Sequence, residues 1–256
     1  LQYFTGDKNH NVAVRKIASE KGFKLNEYGL FKGEKMVAGK TEEEIYQNLG
    51  MDYIEPEMRT ASGEIEVSQK NKLPNLIGYK DLKGDLQIQT DWTDGENSIE
   101  EMAEAAIKIG LEYICITDHT KALAMTGGSD EKKLEKQMAE IDRINKSFKF
   151  QSSRFKILKG AEVNIMKDGS LDIDDKTLAK LDVVGAAVHS LFNLSKTEQT
   201  KRVIKAMENP NVDIFFHPTG RLINRRAGIE LDMDEVIKAA KKTGTVLEID
   251  AFPDRL

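Results

Sequence analysis

The chain has 256 residues, 39% of them hydrophobic and 32% charged, which fits one large or two modest globular domains. A net charge of -5 excludes a wholly basic nucleic-acid coat but not a local basic groove. No apolar run reaches the ~20 residues of a membrane span and no signal peptide is visible, while a lone cysteine rules out a disulfide framework; a reducing, cytoplasmic setting is expected.

From the first residue, "YFTG" is an aromatic pair before a turn. Asn11 is expected to cap a helix running from Val12 to Lys21, with Gly22 in the left-handed position that ends it. "FKLNEYGLFKG" reads as two short strands around a turn. "TEEE", Thr41 to Glu44, reads as a capping box opening a second short helix closed by Gly50. Residues 1–58 therefore form a small α+β segment. The polar stretch 59–81, with "SGE", "SQKNK" and "LP", reads as a linker too irregular to join a core.

From Gly84 onward the pattern becomes rhythmic. Apolar strand-like runs occur at "DLQIQ", "YICIT", "KILKGAEV", "DVVGAAV", "VDIFF" and "TVLEI", separated by amphipathic helices. One helix opens with a Ser98–Glu101 capping box and ends at Gly110; another starts at Asp232 and ends before Gly244. This alternation predicts a parallel α/β sheet or barrel. Cys115, inside "YICIT", is expected to be a buried strand thiol rather than a nucleophile. The start at Leu1 and the stop in "EIDAFPDRL" suggest an internal piece of a longer protein.

Three of the four histidines directly follow apolar runs: His119, His189 and His217. Glu162 sits in the same position of its own run, and Asp94 lies just beyond the first. In parallel barrels the C-terminal strand ends converge on one mouth, so three imidazoles and two carboxylates there have the composition of a site for zinc, manganese or an iron-class ion. The alternative is that each histidine merely caps its strand. Gln87 and Gln89 are two apart and would face the same interior. Their amide oxygens suit magnesium, calcium or manganese better than zinc, or they only make interior hydrogen bonds. Arg221, Arg225 and Arg226, in "HPTGRLINRR", are placed either to grip phosphate oxygens or to form a solvated loop cluster. No Walker loop, GxSxG elbow or CxxC pair is present.

"LQYFTGDKNHNVAVRKIASEKGFKLNEYGLF" resembles the thumb of family X DNA polymerases, the group of polymerase beta. The resemblance implies that Tyr3, Phe4 and Gly6 shape the pocket of an incoming nucleotide, that Asn11 contacts the nascent pair, and that Arg15 contacts the template. Lys8 stands where the family often has an acidic residue. From about residue 80, "TDH", "GAEV", "VHS" and "FHPTGR" resemble a PHP (polymerase and histidinol phosphatase) domain, which follows the thumb in bacterial and archaeal family X enzymes. This implies a distorted seven-stranded β/α barrel, truncated at its C-terminal end, over residues 82–256. It also implies divalent metal (manganese, zinc or magnesium) held by Asp94, His119, Glu162, His189 and His217, with Gln87 and Gln89 replacing the usual HxH pair. The implied activity is 3'-5' exonuclease action on DNA, beside deoxynucleotide-dependent gap filling by a palm expected before Leu1. Two other readings remain: a weakened PHP domain serving as scaffold or DNA-binding appendage, and a small-molecule phosphatase of the histidinol-phosphate type.

Overall fold

The computed structural model describes residues 2–147 and 155–255, in two compact units, Leu1–Gly78 and Tyr79–Leu256. In the first unit, helices α1 (Gln2–Thr5) and α2 (Lys8–Glu20) precede an antiparallel sheet of β1 (Lys24–Asn26), β2 (Gly29–Lys32) and β3 (Lys35–Ala38). Helix α2 begins four residues before Val12, because Asp7 is the better cap. Its carboxylate accepts the His10 N–H at 2.7 Å, adding a negative charge at the positive end of the helix. Asn11 is instead buried one turn in. Its amide donates to the carbonyls of Tyr3 and Gly6 at 3.2 and 3.0 Å, fastening the YFTG turn. Gly22, with φ +77°, ends the helix as expected.

Helix α3 (Glu42–Asn48) starts at Thr41, whose hydroxyl accepts from Glu44 N at 3.3 Å. Only half of the capping box forms, because the Glu44 carboxylate accepts from Gly39 N and Lys40 N instead. Val14, Leu25, Leu30, Ile45, Leu49 and Ile54 build the core of this unit.

Residues 59–81 are not all linker. Helix α4 (Glu64–Ser68) lies within the first unit, and Arg59, Glu64, Ile65 and Ser68 are buried. The polar composition misleads because the charges are paired inside. Arg59 Nη2 lies 3.0 Å from Glu42, with its guanidinium over the rings of Tyr46 and Tyr53, and it bonds Thr5 as well. Glu64 meets His10 Nδ1 at 2.6 Å, and the other nitrogen of that ring meets the Tyr46 hydroxyl at 3.0 Å.

The second unit carries a curled parallel sheet of six strands in sequence order: β4 (Gly84–Ile88), β5 (Tyr113–Ile116), β6 (Lys156–Asn164), β7 (Val183–Ala187), β8 (Ile214–Phe215) and β9 (Val246–Leu247). All six expected runs become strands, and six strands rather than seven form among the described residues. Helices α5 (Ile99–Lys108), α6 (Glu131–Asn145), α7 (Asp175–Leu178), α8 (Lys196–Met207) and α9 (Met233–Thr243) connect them. The Ser98–Glu101 capping box forms, and a second, Ser195–Glu198, opens α8. Apolar helix faces cover the outer side of the sheet: Ile141 and Ile144 of α6 join Ile114, Ile116 and Ile157 in one core cluster, and Val203 and Ala206 of α8 join Val184 and Ala186 in another. Cys115 is fully buried, and burial pushes its thiol far up. No helix among the described residues is long and apolar enough to cross a membrane.

Candidate metal centre

The site lies where β4 to β8 end. Glu162, in the last third of β6, has only 1% of its side chain exposed, and every other group of the site is arranged around it. His189 Nε2 and His217 Nε2 stand 2.9 and 2.8 Å from its Oε1. His119 Nδ1 stands 3.5 Å from Oε2, and His119 Nε2 lies 3.6 Å from Asp94 Oδ2. The three rings pack as a row, His119 to His189 at 5.2 Å and His189 to His217 at 5.3 Å between centroids. Burial pushes the Glu162 carboxyl up, but the imidazoles of His189 and His217 outweigh it and hold the group well below the usual carboxylate range.

Gln87 and Gln89 do face this interior. Their amide nitrogens donate to Glu162 Oε2 at 3.3 and 3.0 Å, so both place a donor, rather than an oxygen ligand, against the central carboxylate. Asp94 is the most open member, with 42% of its side chain exposed. The loop carrying it is tied down by buried Asp118, which accepts from Thr90 N, Thr90 Oγ1 and Thr93 Oγ1 at 2.7, 2.6 and 2.6 Å, and from Gln137.

The donor set fits a divalent ion. Ligand atoms of His119, Glu162 and His189 lie within 4.8 Å of one another. The buried Nδ1 atoms of His119 and His217 have no hydrogen-bond partner, an arrangement that costs free energy unless a cation or water uses the lone pair.

His217 adopts φ +30°, and its N–H donates to Glu248 Oε2 at 2.6 Å. Burial raises the Glu248 carboxyl to about 7, helped by Asp250 and Glu162 and opposed by that N–H. A cavity of about 630 Å³ opens here, lined by His217, Arg221, Glu248 and Arg255 among others. Of the three arginines, Arg221 reaches this cavity. Arg225 is exposed, 3.6 Å from Asp254, and Arg226 is spent on the loop itself, bonding Gly220 O and stacking on Phe192 at 4.1 Å.

In the first unit, Tyr3 and Phe4 are exposed and meet edge to face at 5.0 Å. Arg15 lies over the Tyr3 ring at 5.5 Å and donates to Asn11 O at 3.2 Å. Gly6 lies against His10, where a Cβ would come within 3.0 Å of the ring. These residues form one exposed aromatic and cationic surface, with the Asn11 side chain beneath it.

Sequence reasoning missed Asp118, Asn164, Asp172 and Glu248. The one available signal was spacing: Asn164 is two residues beyond Glu162 on the same strand face.

The second unit is thus a curled β/α sheet with three histidines and a carboxylate gathered at its strand ends. Residues 85–249 match the PHP domain family and residues 1–60 match the DNA polymerase beta thumb; the chain belongs to the PHP family. It is 44% identical, along its whole length, to the DNA polymerase/3'-5' exonuclease PolX of Bacillus subtilis (strain 168), of which it spans 44%. Over 60% of its length it is 34% identical to a "probable phosphatase" of Thermoanaerobacter sp. (strain X514), and 31% identical to one of Acetivibrio thermocellus, spanning 58% of each.

Proposed function

We propose that the chain is the thumb and exonuclease portion of a family X repair polymerase, and that its second unit removes nucleotides from DNA 3' ends. The observation that carries the reading is the convergence of His119, His189 and His217 on buried Glu162 at one sheet mouth. Manganese, zinc or magnesium held by His119, Glu162, His189, His217 and Asp94 would lower the pKa of a water and offset charge on the phosphoryl oxygens. Arg221, at the wall of the adjoining cavity, donates from Nη2 to Arg255 O at 3.1 Å and would offer its remaining N–H groups to a phosphate oxygen. Tyr3, Phe4 and Arg15 offer an aromatic and cationic surface suited to a deoxynucleotide and template DNA. Primer extension would rely on palm carboxylates carried elsewhere in the full protein. With DNA as its substrate, the full protein would work in the cytoplasm of a prokaryote.

Manganese-dependent shortening of a primed DNA by the full-length protein, lost in His189→Ala, is the expected result. No shortening, with no metal on the purified protein by elemental analysis, refutes the reading. The two amide donors on Glu162 favour a second one, a weakened site that supports DNA binding only, and that outcome would select it. Faster hydrolysis of a small sugar or amino-alcohol phosphate than of DNA would instead select a phosphatase.

A further inference from the structure

His189 has both ring nitrogens committed to one strand. Its Nε2 faces Glu162 Oε1 at 2.9 Å, and its Nδ1 faces Asn164 Oδ1 at 2.8 Å; both partners belong to β6. Two acceptors thus compete for the single hydrogen of a neutral imidazole. A carboxylate is the stronger acceptor, and an unassisted imidazole prefers the hydrogen on Nε2. Left to Glu162, the hydrogen would sit on the nitrogen that faces the mouth and block it as a ligand.

What opposes this is the orientation of the Asn164 amide, and that orientation is set by Asp172. The Asn164 Nδ2 group donates to Asp172 Oδ2 at 2.8 Å and to Thr120 Oγ1 at 3.0 Å. Asp172 is itself fixed, accepting from Asn164 N, Thr120 Oγ1 and Ala122 N at 2.8 to 2.9 Å. Turning the amide over would press its oxygen against the Asp172 carboxylate and forfeit the bond to it. Asn164 is buried, 5% exposed, so the bond lost would not be made good by bulk solvent. Its oxygen therefore stays on His189, where it can only accept.

The geometry points to Asp172, acting through Asn164, as the positioning device that keeps the hydrogen of His189 on Nδ1 and leaves Nε2 as the metal-facing nitrogen. Neither residue would itself be a ligand; both act through the ring. The consequence for metal binding rests on the function proposed above, but the position of the hydrogen does not.

The test is a long-range proton–nitrogen NMR spectrum of the metal-free protein labelled with nitrogen-15 in its four histidines. Nδ1 of His189 is expected to carry hydrogen in the wild type and to lose it to Nε2 in Asn164→Ala. Asp172→Asn, nearly isosteric and able to donate to a turned-over Asn164, is expected to move the hydrogen the same way and serves if Asn164→Ala fails to fold. Manganese or zinc affinity should fall ~10–100-fold in either variant. A wild-type Nδ1 without hydrogen, or a Nδ1–H retained in both variants, overturns the inference. A hydrogen that moves as described in a protein that binds no metal at all supports it and removes the metal reading instead.

Discussion

Gly185→Ala should weaken the second unit and its metal site together. Gly185 is the central residue of β7, paired with Glu162 on one side and Ile214 on the other. A Cβ there would lie 1.9, 2.3 and 2.4 Å from Cε2, Cζ and Cδ2 of Phe216, where ordinary contact begins at 3.4 Å. The ring is 1% exposed and packed among Leu86, Val183, Ala187 and Ile214, so it has nowhere to retreat. Overpacking of this kind costs ~1–3 kcal/mol, and an overlap this deep belongs at the upper end. The reduced freedom of the unfolded chain returns ~0.4–1 kcal/mol, leaving a net loss of about 2 kcal/mol. For a unit of this size that lowers the melting temperature by about 4–8 °C in far-UV circular dichroism. Phe216 directly precedes His217, so metal titration should show weaker binding in the same variant. Phe216→Leu in the Gly185→Ala background should recover most of the stability. A melting temperature within about 1 °C of wild type would show that the ring moves freely, and would refute the reasoning that a tightly packed strand fixes the ligand.

Replacing both Gln87 and Gln89 by histidine turns two donors on Glu162 into two potential ligands; elemental analysis should show more bound manganese or zinc per chain, and an unchanged content counts against the weakened-site argument. The first unit should lose stability in acid. Burial raises the Glu64 carboxyl, but His10 and the N–H groups of Ala61 and Ser62 win and hold it below its usual range. A depressed folded value means the contribution is present above the unfolded value near 4.5 and is lost as pH falls through the folded one. Glu64→Gln should flatten that slope in pH-dependent unfolding, and an unaltered slope contradicts the assignment. Arg59→Met should cost about 3 kcal/mol by denaturant titration, because it strands Glu42 and leaves Ile54 O without its donor at a fully buried position; a loss under about 0.5 kcal/mol, the scatter of a surface change, argues the network is dispensable. Cys115 should resist thiol reagents until the protein unfolds, given its burial and raised thiol.

The strands of the second unit were legible because each is an apolar run broken by a polar group at its end, and that same break located His119, His189 and His217. The role of Gln87 and Gln89 was half legible: a period of two gives the face, but which end of an amide turns toward Glu162 is set by the acceptor opposite, 73 to 75 residues away in sequence. Asp7 displaced Asn11 as the cap because Asn11 was needed inside. Residues 59–81 were misread for the same underlying reason, since a charge paired in a core and a charge in water are the same letter. Spacing from Glu162 gave the face of Asn164 but not its role, and Asp172 left no signal, because an amide takes on its role only when a ring on another strand arrives beside it.

The pairing of Arg59 has a consequence for how this protein can be divided. Its guanidinium bonds Thr5 and Glu42, its carbonyl accepts from Asp7 N at 3.0 Å, and Glu64 holds His10. The opening turn of the first unit is therefore stitched to the last quarter of it. A chimera joined at residue 58 would take Glu42 and His10 from one parent and require the other to supply their partners in register. A junction after Gly78 inherits both pairs whole, so the natural seam for exchanging this module lies beyond α4, outside the stretch that matches the polymerase thumb.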